Sequence, residues 1–436
     1  MRTKIVRMGI NGEGIGYQDR KPIFLPGALV DEEVEYTIVE KKPTYYIGKV
    51  SKIIKKSKNR IQPKCKMQHR CDGCPLMILD YKSQLEYKFG NLVQTLNKYT
   101  RIDKRVIEEV VTNPNPLHYR NQCKLPLMME NGKLVNGMYL QNSNYIIPVD
   151  HCCIHEFGVE NVRKEILEIL NRHSIKAYDN KTKKGLRYLV VRGIGEKYQC
   201  TLVSGDDTFS KELISELSTI DNLVSMYQSV QTTKNTPNIF GKKMIQLFGS
   251  KYLSFELDDI QLRLSAQSFF QLNTNQAKTM YRLIKTLVPR DSNLILEAYS
   301  GIGGISLYLK DMAKQIKGVE VIESAVINAN QNAKLNNAEN VRFEVGDASE
   351  KMAIWCKKNN ADVIIVDPPR SGLDDDMLDT IIRSKAKNVI YISCNPSTLA
   401  KNLDRLQSKY RVKKIIPIDI FSQTQHIETI VLLKRP

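Results

Sequence analysis

No apolar run in this chain of 436 residues approaches the length of a membrane span. The N-terminus also lacks the apolar core of a signal peptide, so a cytoplasmic protein without a membrane partner is expected. Internal repeats and low-complexity tracts are missing, which leaves ordinary folded domains to account for the length. Two or three of them are expected at this size. Acidic residues are in deficit, 47 against 65 basic ones, and the resulting net charge of +18 points to a polyanionic partner. Cysteine is not scarce, but nine copies in a chain of cytosolic character argue against a disulfide scaffold.

The basic excess has one concentrated stretch. Residues 51–60 carry Lys52, Lys55, Lys56, Lys58 and Arg60 with no acidic residue and with interleaved β-branched ones. That composition suits a surface that tracks phosphates, although a lysine run is more often a solvated face. It closes an N-terminal part, residues 1 to about 60, in which short alternating segments sit between glycine turns. Such a pattern suggests a small β-barrel. A helix is expected near residues 81–99, and mixed strands and helices follow to about 260.

The cysteines are unevenly spread. Cys123, Cys200 and Cys356 are isolated and are expected to be inert. Cys65, Cys71 and Cys74 form a C-x5-C-x2-C cluster, and Cys152-Cys153 stand in a second short loop.

From about residue 290 strands and helices alternate. Strands are expected at 293–296, 316–321, 341–345, 363–366, 388–392, 412–416 and 428–433. This pattern predicts a doubly wound parallel sheet. After its first strand comes Tyr299-Ser300-Gly301-Ile302-Gly303-Gly304, a glycine turn that lets backbone approach a ligand closely. Its spacing is not that of a dinucleotide pyrophosphate grip. Glu320, nineteen positions after Gly301, ends the second strand, where a carboxylate can accept both ribose hydroxyls of an adenosine. S-adenosylmethionine fits this arrangement at least as well as a nicotinamide dinucleotide. Asp347 follows the third strand and can take the adenine amino group or cap a helix. Asp367-Pro368-Pro369-Arg370 follows the fourth, and presents its carboxylate rigidly.

The fifth strand runs into Ser393-Cys394-Asn395-Pro396. Open α/β sheets carry their chemistry beyond the carboxyl ends of the strands, where Cys394 would stand. A partly exposed thiol there can act as a nucleophile; alone, it would more readily be a small buried hydrophobe, and the other segments of the same half reverse that preference.

Together these segments resemble the RNA uracil-5-methyltransferase family, in its TRAM-domain, iron-sulfur-containing 23S ribosomal RNA type. The likeness rests on Phe269-Phe270-Gln271-Leu272-Asn273, the Tyr299–Gly303 turn, Asp367-Pro368-Pro369-Arg370, Ser393-Cys394-Asn395-Pro396 and His426-Ile427-Glu428, in the family's order. It implies an α/β fold in three parts. These are a TRAM-like barrel over residues 1–60 that binds RNA, a central α+β domain over 61–264 that carries the cysteine cluster, and a Rossmann-like S-adenosylmethionine-dependent domain over 265–436. It further implies that Cys394 adds to carbon 6 of uracil and that Glu428 removes the carbon 5 proton, with His426 as rival base. Gln271 and Asp367 would lie between cofactor and base, and Phe269 could stack on RNA or belong to the core. Cys65, Cys71, Cys74 and Cys152 would hold a 4Fe-4S cluster, with structural zinc as the alternative and Cys153 as the rival fourth ligand. The expected substrate is ribosomal RNA, with transfer RNA as the second choice, and the protein is expected to be a monomer. Two readings of other classes compete. A nicotinamide-dependent oxidoreductase leaves Cys394 and Glu428 without a task, and a non-catalytic ribosome-assembly factor binds RNA without needing Cys394.

Overall fold

The computed structural model describes residues 1–68, 70–140, 143, 145–234 and 236–436. Its N-terminal sheet has six strands, and residues 2–8 join its two ends. Arg2–Lys4 pairs with Glu33–Lys41, and Arg7–Met8 pairs with Gly14–Gln18. The closed sheet surrounds Ile5, Ile23, Leu25, Ala28, Val34 and Tyr36. Alternation of apolar and polar residues along Glu33–Lys41 is what turns Val34 and Tyr36 inward.

A second sheet of seven strands spans residues 122–249. Its helix Phe157–Arg172 buries Val159, Val162, Ile166 and Ile169 against it at helical spacing.

The C-terminal sheet also has seven strands. Their order is Val341–Val345, Ala313–Glu320, Ser292–Ala298, Val363–Val366, Asn388–Ser393, Glu428–Lys434 and Arg411–Ile418. The first five are parallel, as the alternation of strand and helix predicts. The wholly parallel sheet requires correction at its last hairpin: Glu428–Lys434 runs antiparallel to both of its neighbours. The physical reason is the connection 419–427, which is shorter than the dozen or so residues that a parallel crossover takes.

Two elements outside residues 265–436 pack into this unit. The hairpin of Leu253–Leu257 and Ile260–Leu264 contributes its leucines to the core of the sheet. Asn332 and Asn336 bind its edge like an extra strand, accepting from the Arg263 and Gln261 amides at 2.9 and 2.8 Å. Helix Tyr81–Tyr99 starts at Asp80, whose carboxylate accepts from the Ser83 amide at 3.0 Å. It buries Leu92 and Leu96 in the core on the opposite face of the sheet and packs against helix Pro396–Leu406. No helix among the described residues is long and apolar enough to cross a membrane.

Candidate active site

Strand Asn388–Ser393 is buried throughout and delivers Cys394, half-buried, to the carboxyl edge of the sheet. Asn395 then caps helix Pro396–Leu406, its side chain accepting from the Ser397 amide at 3.0 Å, with Pro396 in the first turn. Across the antiparallel pair Ser393 faces Thr429, so the next position brings Cys394 opposite Glu428. On the other side Val366 pairs with Tyr391, and Asp367 follows directly. Three groups far apart in the chain thus meet at one rim.

Their electrostatics differ from those of free side chains. Burial pushes Glu428 well above the ordinary carboxylate range; Asp367 adds to this, and the Arg370 guanidinium opposes it. Burial raises Asp367 to about 7. Burial also raises the Cys394 thiol, Glu428 raises it further, and Arg370 pulls it back. Arg370 acts on both Cys394 and Glu428, and its backbone carbonyl accepts from the Asn395 side chain at 2.9 Å. Its guanidinium lies 3.3 Å from Nε2 of His426. Burial, then Arg370 and Lys88, lower His426 to about 4, which leaves a neutral imidazole. Arg370 closes the Asp367-Pro368-Pro369-Arg370 segment, but no local pattern in the sequence gives it this role. Cys394, Arg370 and His426 line a cavity of about 180 Å³ together with Ile10 of the barrel and Asn91 and Thr95 of helix Tyr81–Tyr99.

The glycine turn lies at the same edge. Tyr299, Gly301 and Gly303 have φ of 65°, 52° and 82°, so the chain makes a left-handed turn that glycine favours. Space beside Gly301 is open: a Cβ there would meet nothing within 4 Å. The Glu320 carboxylate accepts from the amides of Gly301 at 3.1 Å and Ile322 at 3.0 Å, which ties the turn to the second strand. Val321 and Ile322 stand exposed beside it, and among the described residues the buried Ser300 Oγ has no partner. An open cradle, an anchored carboxylate and bare apolar surface fit a nucleoside. Asp347 caps helix Ala348–Lys358, accepting from the Glu350 amide at 3.1 Å. Gln271 lies half-buried before helix Thr274–Leu287, its carbonyl accepting from Asn121 at 2.9 Å. The core role considered for Phe269 requires correction, because the ring is 65% exposed.

Cys65, Cys71, Cys74, Cys152 and Cys153 line a separate cavity of about 100 Å³. Burial raises the thiols of Cys71, Cys74, Cys152 and Cys153, the last two to about 11. Cys153 donates to the Lys64 carbonyl at 3.6 Å. Glu160 organises the loop from below: it accepts from the Cys152 amide at 3.3 Å and bonds His155 and Arg163 at 2.8 and 2.9 Å. Among the described residues no three His, Cys, Asp or Glu side chains are arranged to hold a single ion. Of the basic stretch, Lys52, Lys55, Lys56 and Lys58 are exposed. Arg60 must be removed from that surface, since it bonds the buried Glu32 at 2.6 and 2.9 Å.

The model of the tRNA (Uracil-5-)-methyltransferase family matches residues 80–436. An uncharacterized RNA methyltransferase of Bacillus cereus is 36% identical over 440 residues, which covers 99% of this chain and 96% of that relative. One of Staphylococcus aureus is 34% identical over 437 residues, covering 98% and 96%. The crystal structure of Pyrococcus abyssi tRNA (uracil-54, C5)-methyltransferase in complex with S-adenosyl-L-homocysteine superposes with a TM-score of 0.80 at 26% identity, covering 99% of this chain and all of that one. This chain is an RNA methyltransferase, and it belongs to the RNA uracil-5-methyltransferase family.

Proposed function

We propose that this enzyme methylates carbon 5 of a uridine in RNA, with Cys394 as nucleophile and Glu428 as base. The observation that carries the reading is the opposition of Cys394 and Glu428 across one strand pair, with Asp367 on the adjoining strand. Carbon 5 of uracil is too weak a nucleophile to accept a methyl group unaided. Addition of the Cys394 thiolate to carbon 6 makes the ring an enolate that is nucleophilic at carbon 5. S-adenosylmethionine, when bound, supplies the electrophilic methyl. Once carbon 5 is methylated its proton must leave before the thiolate can be expelled, and Glu428 takes it. A carboxylate raised by burial is a stronger base than a free one, and Arg370 favours the ionised forms of both Glu428 and Cys394. Asp367 and Gln271 bond the polar edge of the base. The turn at Tyr299 and Gly301, with Glu320 and Asp347, holds the nucleoside of the methyl donor; the open cradle and the unpartnered Ser300 hydroxyl support this.

We assign RNA binding to a TRAM-like barrel over residues 1–60, the cysteine loop to residues 61–264 and the methyl transfer to 265–436, with the hairpin 253–264 packed onto the last unit. Cys65, Cys71, Cys74 and Cys152 are proposed to hold a 4Fe-4S cluster. Half-buried thiols around one cavity are a donor set that either group can use, and the cluster is preferred because the spacing of these cysteines resembles that of the iron-sulfur members of the family. The cluster would order the loop, and no redox step is assigned to it. Two RNA classes are in view. The cysteine set and the barrel resemble the 23S ribosomal RNA type, whereas the Pyrococcus abyssi enzyme acts on tRNA and matches the full extent of this chain. Chain extent therefore does not separate them. Mapping 5-methyluridine in ribosomal and transfer RNA from a strain lacking the protein decides: loss from one pool names the substrate, and loss from neither overturns the reading.

A further inference from the structure

A uridine stacked in RNA cannot reach Cys394 until it leaves its stack, and the gap it leaves must be tolerated or filled. The cleft that holds Cys394 has one wall from outside the catalytic sheet. That wall includes Ile10, at the tip of a barrel loop, and Ile10 is 62% exposed. A single exposed isoleucine is ordinary. This one differs in how firmly its loop is held. The Gly9 amide donates to the Glu13 carbonyl at 2.7 Å, and the Asn11 amide donates to the Glu13 carboxylate at 2.9 Å. From the helix beneath, the Tyr87 hydroxyl donates to the Gly9 carbonyl at 2.7 Å. Gly12, at φ 87°, lies so close to Pro75 and Leu76 that a Cβ would stand 3.3 and 3.2 Å from them. The tip is anchored to itself, to helix Tyr81–Tyr99 and to the cysteine loop, and it presents a bare apolar side chain beside the nucleophile.

We propose that Ile10 is an apolar wedge that enters the base stack beside the target uridine and keeps that uridine turned toward Cys394. Branched apolar side chains inserted between bases are an established means of unstacking nucleic acid, and a wedge works only if its support does not yield. Asn11, next on the loop, and Asn91 and Thr95 on the facing helix provide polar groups for the neighbouring nucleotides. Ile10 is a positioning residue and touches no reacting atom. This inference rests on the proposed uridine methylation.

The test compares wild type, Ile10→Ala, Ile10→Leu and Val39→Ala, the last an equally exposed barrel residue that does not line the cleft. Each is assayed on two RNAs, one with the target uridine stacked in a hairpin and one of the same length without structure. A 2-aminopurine beside the target reports unstacking by its fluorescence. Ile10→Ala is expected to lose about tenfold or more in rate on the hairpin, to lose the fluorescence rise, and to keep its rate on the unstructured RNA. Ile10→Leu and Val39→Ala should match wild type on both. Equal rates of Ile10→Ala and wild type on the hairpin, or equal losses on both RNAs, would overturn the wedge. A wild-type enzyme that forms no covalent adduct with 5-fluorouridine RNA would instead overturn the uridine chemistry beneath it.

Discussion

Lys88 and Asp419 form an ion pair at 2.5 Å with neither side chain exposed. Lys88 also donates to the Phe421 carbonyl at 3.0 Å, and Tyr81 donates to Asp419 at 2.8 Å. These bonds clamp helix Tyr81–Tyr99 to the segment 419–427, which leads into Glu428. Breaking a buried pair by removing one partner leaves an uncompensated charge, at a cost of about 3–5 kcal/mol. Lys88→Met should lower stability by that amount in urea unfolding, and adding Asp419→Asn should restore most of it. A single variant within about 0.5 kcal/mol of wild type would mean that the pair is not a clamp.

Cys394 and Glu428 should fail differently. Cys394→Ala abolishes methyl transfer and forms no covalent species, because no enolate arises without addition at carbon 6. Glu428→Gln transfers the methyl group but cannot remove the proton, so a methylated RNA adduct should accumulate and survive denaturing electrophoresis. Normal turnover of Glu428→Gln without an adduct would shift the base role to His426.

Glu297 is buried beneath the glycine turn and accepts from the amide and the hydroxyl of Ser306. Burial raises it from 4.5 to about 8. A folded-state value above the unfolded one gives stability that is fully present below pH 4.5 and is lost as pH rises toward 8. The slope across that window is about 1.4 kcal/mol per pH unit. Glu297→Gln should keep the Ser306 bonds and flatten this loss, which thermal unfolding midpoints from pH 5 to about 8 would reveal. An unchanged pH profile would refute the assignment.

The exposed lysines and Arg60 should separate cleanly. Neutralising Lys52, Lys55, Lys56 and Lys58 should flatten the salt dependence of RNA binding, since fewer phosphate counterions are released. Arg60→Ala should leave that slope intact and instead destabilise the barrel, because it strands the buried Glu32 carboxylate. Nitrocellulose filter binding over a salt series and thermal melting read the two effects. An unaltered slope in the lysine variant would move the RNA path elsewhere.

Protein purified without oxygen should be brown, with iron and sulfide at about four each per chain. Cys152→Ser should lose the iron, whereas Cys153→Ser, whose thiol bonds the Lys64 carbonyl, should retain it. Stoichiometric zinc without iron would overturn the cluster, and the reverse pattern of the two variants would exchange the ligand.

Much of the C-terminal sheet was legible in the chain itself. Its strands are short apolar runs between helical segments, so Val341–Val345 and Val363–Val366 stand where periodicity puts them, as does helix Tyr81–Tyr99. The segments at Tyr299, Asp367 and Cys394 could be placed just past strand ends, and Glu428 at a strand start, for the same reason, because local pattern decides where a strand begins and stops. Their mutual geometry could not. Cys394 faces Glu428 only because the last strand turns back against Asn388–Ser393, and strand direction depends on pairing between distant residues. The same holds for Arg60, which reads as one more surface cation until Glu32 is seen beneath it, and for Phe269, whose exposure no local pattern reveals. Ile10 and Asn91 belong to different units in sequence and share one cleft in space. Residue chemistry and local periodicity determined which groups this protein has and which element carries each. Long-range packing alone decided which of them meet, because burial and charge act through distance in space and not along the chain.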